Sequence, residues 1–144
     1  MELIDVYQLA CRLHTGQMDK AGRPYIEHLT RVMLRVQAVG GDVIQQIASL
    51  LHDAIEDGKV SAEQLRWLGV PADAIELVVK LSKRKGQSYE DYLAGVKRCP
   101  KALGVKLADL DDNSDPARLA ALPEAVAQRL QKKYEGARQF LSVV

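Results

Sequence analysis

The sequence predicts an all-α fold, and three observations predict it. Apolar residues recur at helical spacing in one segment after another. No stretch shows the period-two alternation of a half-buried strand. The helical segments are separated by glycine, proline and cap-forming serine or aspartate. The chain has 144 residues, 47% hydrophobic and 27% charged, which suits a single compact domain over 1–144 built from about seven or eight helices. Internal repeats, low-complexity tracts and interdomain linkers are absent from the sequence.

The first helix carries Leu3, Val6, Tyr7, Ala10 and Leu13 on one face and delivers His14 at its end. Thr15-Gly16-Gln17 breaks the pattern, and Gly22-Arg23-Pro24 turns the chain into a second helix. That helix sets Tyr25, His28, Leu29, Val32, Val36 and Val39 along one side and stops at Gly40-Gly41. Asp42 is the expected N-cap of the third helix, whose core stripe is Ile44, Ile47, Ala48, Leu51 and Ile55. Ser61-Ala62-Glu63-Gln64 has the form of a capping box and opens a short helix that ends at Gly69. Pro71 starts another, with Ile75, Val78 and Val79 on its apolar side and a basic end at Lys83-Arg84-Lys85-Gly86. Ser88 caps the next, which carries Tyr92, Leu93 and Val96, and Pro100 opens a segment running to Asp112. Pro116 and Pro123 punctuate the tail before a last helix marked by Val126, Leu130, Tyr134, Ala137 and Leu141.

Charge and cysteine content exclude several classes of function. A formal net charge of +1 lacks the electrostatic footprint of a nucleic-acid polymer binder, while a local basic patch still suits a small phosphorylated ligand. Cys11 and Cys99 are isolated thiols, too few for a disulfide framework. No apolar run approaches the ~20 residues that span a bilayer, and the acidic start Met1-Glu2-Leu3-Ile4-Asp5 is unlike a secretory signal. These features predict a cytoplasmic protein; they say nothing of its oligomeric state.

The stretch Leu50-Leu51-His52-Asp53-Ala54-Ile55-Glu56-Asp57 concentrates the chemistry. On a continuing helix, His52, Asp53, Glu56 and Asp57 would share an arc of roughly 140°. Acids this close repel one another, so a cation is expected among them. Imidazole nitrogen and carboxylate oxygen suit Mn²⁺, Fe²⁺, Zn²⁺ or Mg²⁺. His52 and Asp53 cannot complete a coordination shell alone, and His28 and Asp109 are the best-placed additional ligands. Asp109 lies in a mostly apolar run, where an unpaired carboxylate is costly; a buried salt bridge to a lysine or arginine is the other way to satisfy it.

Four motifs, in this order, give the chain its resemblance to a known family: His14-Thr15-Gly16-Gln17, Gly22-Arg23-Pro24-Tyr25-Ile26-Glu27-His28, Leu50 to Asp57, and Lys106-Leu107-Ala108-Asp109 with Asn113. They resemble the HD superfamily of metal-dependent phosphohydrolases, and within it the hydrolase domains of RelA/SpoT-type proteins and the small alarmone hydrolases. The resemblance implies that His28, His52, Asp53 and Asp109 bind one metal ion, with Mn²⁺ the first expectation. It implies that Glu56 and Asp57 position and deprotonate a water that attacks the phosphorus of a 3′-pyrophosphate. Lys20, Arg23, Lys106, Asn113 and Tyr134 are the expected substrate contacts.

The expected activity is therefore hydrolysis of guanosine 3′,5′-bis(diphosphate), ppGpp, to GDP and pyrophosphate. The alternatives are an HD phosphatase for a nucleoside monophosphate or NADPH, and a metal-binding nucleotide sensor without turnover. One departure bears on the choice. Met18-Asp19-Lys20 stands where the alarmone hydrolases commonly carry an arginine-rich segment that packs on guanine. Arginine stacks on a base better than lysine does, and an acidic residue there is expected to repel phosphate.

Overall fold

The computed structural model describes residues 1–142, and among them it contains nine helices and no strand. In chain order these are α1 (Leu3–Leu13), α2 (Tyr25–Ala38), α3 (Val43–Leu51), α4 (Ala62–Trp67), α5 (Ala72–Lys80), α6 (Tyr89–Lys97), α7 (Pro100–Asn113), α8 (Pro116–Ala120) and α9 (Glu124–Ser142). The ninth relative to expectation is α8, a single turn and a half started by Pro116 and capped by the Asp115 side chain on the Ala117 N–H. The predicted caps are present: Asp42 accepts from Gln45 and Ser61 from Gln64, each in a reciprocal capping box, and Ser88 accepts from Asp91.

Helix α3 is the centre of the molecule. It packs against α1, α2, α5 and α7, and Ile47, Ala48, Leu50 and Leu51 are buried on all sides of it. From residue 47 to 51 the helix has no solvated side, so its apolar residues there need not follow a narrow stripe. Val39 and Val79 depart from the expected apolar faces. Val39 is 81% exposed beyond the end of α2, and Val79 is 48% exposed, since each helix buries a narrower face than its apolar spacing suggested.

The largest departure is at the end of α3. The helix stops at Leu51, with His52 as its C-cap, and residues 52–58 form successive turns. His52, Asp53, Glu56 and Asp57 therefore do not share one helix face. The cause is local. His52 Nδ1 lies 2.6 Å from the Ser49 carbonyl, the acceptor that the Asp53 N–H would need for the helix to continue. The chain then closes through Ala54 N–H to Leu51 O, Asp57 N–H to Asp53 O and Gly58 N–H to Ile55 O. Gly58 ends the run at φ +72°, a conformation that favours glycine.

Helix α5 likewise stops at Lys80, with Leu81 as its C-cap. Lys83, Arg84 and Lys85 follow in the connection to α6, so they do not sit on a last helical turn as expected. Pairing of α6 and α9 with α7 brings the C-terminal helix over the opening left beside His52. Leu51 is fully buried directly before His52, so core packing and site position are linked there. Leu51→Ala is expected to lower unfolding free energy by about 2–5 kcal/mol, measured as a shift of the urea midpoint at unchanged slope.

Candidate metal centre and cleft

Two imidazoles and two carboxylates from α2, α7 and the turn after α3 converge on one point. His28 Nε2 lies 3.0 Å from Asp109 Oδ1, and His52 Nε2 lies 3.2 Å from the same oxygen. Ligand atoms of His28, His52 and Asp109 all fall within 4.8 Å of one another, and the three residues are buried. Asp53 Oδ2 completes the group at 3.1 Å from His52 Nε2 and 4.0 Å from His28 Nε2. The four residues that sequence reasoning proposed as ligands are thus brought together.

The surroundings set which atoms face the centre. His28 Nδ1 is 2.7 Å from the fully buried Asp112 carboxylate, and His52 Nδ1 is 2.6 Å from the Ser49 carbonyl. Both partners are acceptors, so both Nδ1–H groups donate outward and both Nε2 atoms face inward, where a cation would take the place of their protons. Once those protons are lost, two imidazole nitrogens and two carboxylates line the centre, a donor set that fits a divalent cation of the borderline or hard type. In the protein by itself the same crowding shows in the titrating groups. Burial pushes the His52 imidazolium down, but the Asp53 and Asp109 carboxylates outweigh it and hold His52 well above the usual histidine range. Burial likewise pushes Asp109 up, and Lys106 with His52 overrides this, leaving the carboxyl well below its usual range.

The salt bridge expected as the other way of satisfying Asp109 is present, beside the two imidazoles. One of its oxygens faces the two imidazoles, while the other lies 3.1 Å from Lys106 Nζ. Asn113, one turn further along α7, gives its Nδ2–H to Asp109 Oδ1 at 3.1 Å and accepts from Arg118 at 3.1 Å. Asn113 therefore orients a carboxylate of the centre as well as lining the cleft. Tyr25 reaches the same group from α2 and donates its hydroxyl to Asp53 Oδ2.

Asp112 anchors a second layer that sequence reasoning missed. It is fully buried and meets His28, Arg31 at 2.8 Å and Arg118 at 2.9 Å. Burial raises its pKa and these partners more than reverse that, to about 2. The available signal was its place three residues after Asp109, on the same face of α7, but the polar run Asp111-Asp112-Asn113-Ser114 around it hid the burial.

The centre opens onto a cleft with two arms, each about 420 Å³. Tyr25, Asp53, Glu56, Asn113, Lys133 and Tyr134 border both arms. One arm continues past Gln17, Lys20 and Asp57 to the apolar side chains of Met18, Leu119, Leu122 and Leu130. The other contains His52 and Asp109 together with Lys83, Lys106, Tyr89 and Tyr92. Glu56 and Asp57 are exposed at the rim. Glu56 accepts the Lys83 backbone N–H at 2.5 Å, and Asp57 accepts from Gln17 Nε2 at 3.3 Å. Gln17 Oε1 in turn meets His14 Nδ1 at 2.7 Å.

Two expectations are corrected here. Arg23 lines neither arm: its guanidinium is exposed and pairs with Glu27 through contacts of 3.0 and 2.8 Å, since the two residues sit one turn apart at the start of α2. Asp19 borders the apolar arm with its charge already engaged. Its side chain is 5% exposed, 3.1 Å from Arg118, and accepts the backbone N–H groups of Ala21 and Arg23 at 2.9 Å. The carboxylate closes its own loop and ties that loop to α8, so the expected repulsion of phosphate is screened.

Asp112→Asn should keep the fold but lose the negative charge and one of the two acceptor oxygens that hold His28, Arg31 and Arg118. Affinity for Mn²⁺, measured by calorimetric titration, is expected to fall by about 10–100-fold.

Comparison with known proteins agrees with this geometry. The chain is 34% identical over 111 residues to a GTP pyrophosphokinase of Streptomyces coelicolor, a match covering 72% of this chain and 13% of the relative. It is 32% identical over 119 residues to the guanosine-3′,5′-bis(diphosphate) 3′-pyrophosphohydrolase of Aquifex aeolicus, covering 78% of this chain and 17% of that protein. The chain thus spans less than a fifth of the length of these curated relatives. A solved structure of a metazoan SpoT orthologue, described as hydrolysing ppGpp and acting in starvation responses, superposes with a TM-score of 0.82 at 23% identity, covering 97% of this chain and 85% of that one. That likeness shows a shared fold. The family model for the HD domain matches residues 7–102, a segment that includes His28, His52 and Asp53, and the chain belongs to the HD domain family.

Proposed function

We propose that this protein is a metal-dependent phosphohydrolase that removes the 3′-pyrophosphate from ppGpp, giving GDP and pyrophosphate. The observation that carries this reading is the convergence of His28, His52, Asp53 and Asp109 at the head of a cleft whose rim holds Glu56 and Asp57. The names of the relatives support the choice of substrate. In this reading the four inner residues hold one divalent ion, Mn²⁺ by preference. Such an ion, when bound, supplies Lewis-acid polarisation of a phosphoryl oxygen and favours ionisation of water.

The chain's own residues account for the remaining chemistry. Glu56, fixed by the Lys83 N–H, and Asp57, fixed by Gln17, orient the attacking water and take its proton. The water oxygen bonds to the inner phosphorus, and the bond from that phosphorus to the sugar 3′ oxygen breaks. Tyr134 and the apolar arm receive the nucleoside, and Lys20 and Lys106 meet its phosphates. Both cysteines are free thiols, and among the described residues no helix is long and apolar enough to cross a membrane. Both observations support work on a small nucleotide in the cytoplasm.

Glu56→Gln is expected to retain Mn²⁺ while losing turnover by about 10²–10⁴-fold, followed by resolving GDP and pyrophosphate from ppGpp. His52→Ala should lose the metal and the activity together, and chelator should abolish turnover of the unaltered protein. Wild-type rates in the Glu56→Gln variant would remove that carboxylate from the mechanism.

A further inference from the structure

One arm of the cleft sets three lysines, Lys83, Lys106 and Lys133, across from the carboxylates of Asp53, Glu56 and Asp109. Tyr89 and Tyr92 lie on one face of α6, with ring centroids 5.9 Å apart. Lys106 of α7 places Nζ 5.3 Å from the Tyr92 centroid, and Lys133 of α9 places Nζ 4.9 Å from that of Tyr89. The negative ring faces attract both ammonium groups, so an aromatic pair on a third helix holds two lysines from separate elements side by side. Lys106 already pairs with Asp109. Lys133 has no carboxylate within 4.0 Å among the described residues, and neither does Lys83, which lines the same arm. Burial, and then the charges of Lys106 and Lys20, push the Lys133 ammonium down. With Lys106 and Lys133 drawn to adjacent rings and only Lys106 in a close ion pair, the lysine side of the arm favours an anion there.

The position of this wall says which anion. The arm contains His52, Asp109 and Glu56 as well as the lysines, so a group seated there lies on the reacting side and away from the apolar arm. We propose that Lys133, with Lys83 and Lys106, forms a subsite for the outer phosphate of a diphosphate ester whose inner phosphorus faces Glu56 and the His–Asp centre. The inference rests on the phosphohydrolase reading above and deepens it. The outer phosphate is gripped while the inner phosphorus exchanges its sugar oxygen for the water oxygen. The sugar oxygen leaves with its electron pair and takes up a proton, and the P–O–P bridge stays intact. Lys133 is then a specificity-determining residue that separates diphosphate esters from monophosphate esters.

The test uses inorganic pyrophosphate and inorganic orthophosphate as probes, titrated into the Mn²⁺-loaded protein against a ligand-into-metal blank. Wild type is expected to bind pyrophosphate at least about tenfold more tightly than orthophosphate. Lys133→Met retains the stem on Tyr89 and should erase that preference, whereas Lys133→Arg should keep it. With ppGpp as substrate, Lys133→Met should raise KM about tenfold and leave kcat nearly unchanged. Lys83→Met, at a separate point of the same wall, should act in the same direction. Equal affinity for the two probes in wild type, or unchanged pyrophosphate affinity in Lys133→Met, overturns the subsite. Lys133-dependent pyrophosphate binding without ppGpp turnover would keep the subsite and remove ppGpp as the substrate. Turnover of ppGpp with unaltered KM and pyrophosphate affinity in Lys133→Met would do the reverse.

Discussion

The structure depends on keeping the Asp109 carboxylate charged inside the helical core. A buried carboxylate without partners would cost several kcal/mol or become protonated. Here two imidazoles, the Lys106 ammonium and the Asn113 amide surround it. Each of those partners is held in turn: His28 by Asp112, His52 by the Ser49 carbonyl, Lys106 by the Tyr92 ring, Asn113 by Arg118. The arrangement explains why α2, α3, α6, α7 and α8 must meet where they do. It also explains the end of α3, since the His52 imidazole can reach the centre only after taking a carbonyl that the helix would otherwise use.

That constraint organises the cleft. Charge is concentrated at the junction of the two arms, and the arms differ in character on either side of it. One ends among leucines and Met18 beneath Tyr134; the other ends among lysines on tyrosines. A ligand with an apolar, ring-like end and a strongly anionic end matches this division, with its reacting atom where the two meet. The basic residues take part through their placement against aromatic faces rather than through net charge, which is nearly zero for the chain.

Arg118 joins the parts. From the short helix α8 it contacts Asp112, Asn113 and Asp19, so one guanidinium links the metal centre, the cleft wall and the loop carrying Lys20. Its planar fork of donors suits three acceptors in different directions better than an ammonium would. The same contact neutralises the Asp19 charge at the edge of the cleft. Loop and centre are therefore coupled through one residue that also borders the cleft and lies 3.2 Å from His28 Nδ1.

Periodicity and caps determined the helical class and the places where most helices begin, and the resemblance carried by the motifs named the four residues that now meet at the centre. Those features are local, or are carried by motif order, and helical spacing expresses them directly. The His52–Asp57 stretch was legible as chemistry and misread as geometry, because a side chain capturing its own helix carbonyl leaves no mark on spacing. Arg23 and Asp19 were misplaced for a related reason: the partner of a charge is a matter of which side chains arrive nearby, and Glu27 and Arg118 claimed them. Asp112, Tyr25, Arg118 and Lys133 acquire their roles only from long-range packing, with His28 and Asp112 separated by 84 residues. Residue types and their order settled which chemistry the chain can hold. Tertiary structure decided which charges are paired, and therefore which remain free to meet a ligand, since pairing is set by distances that sequence separation does not encode.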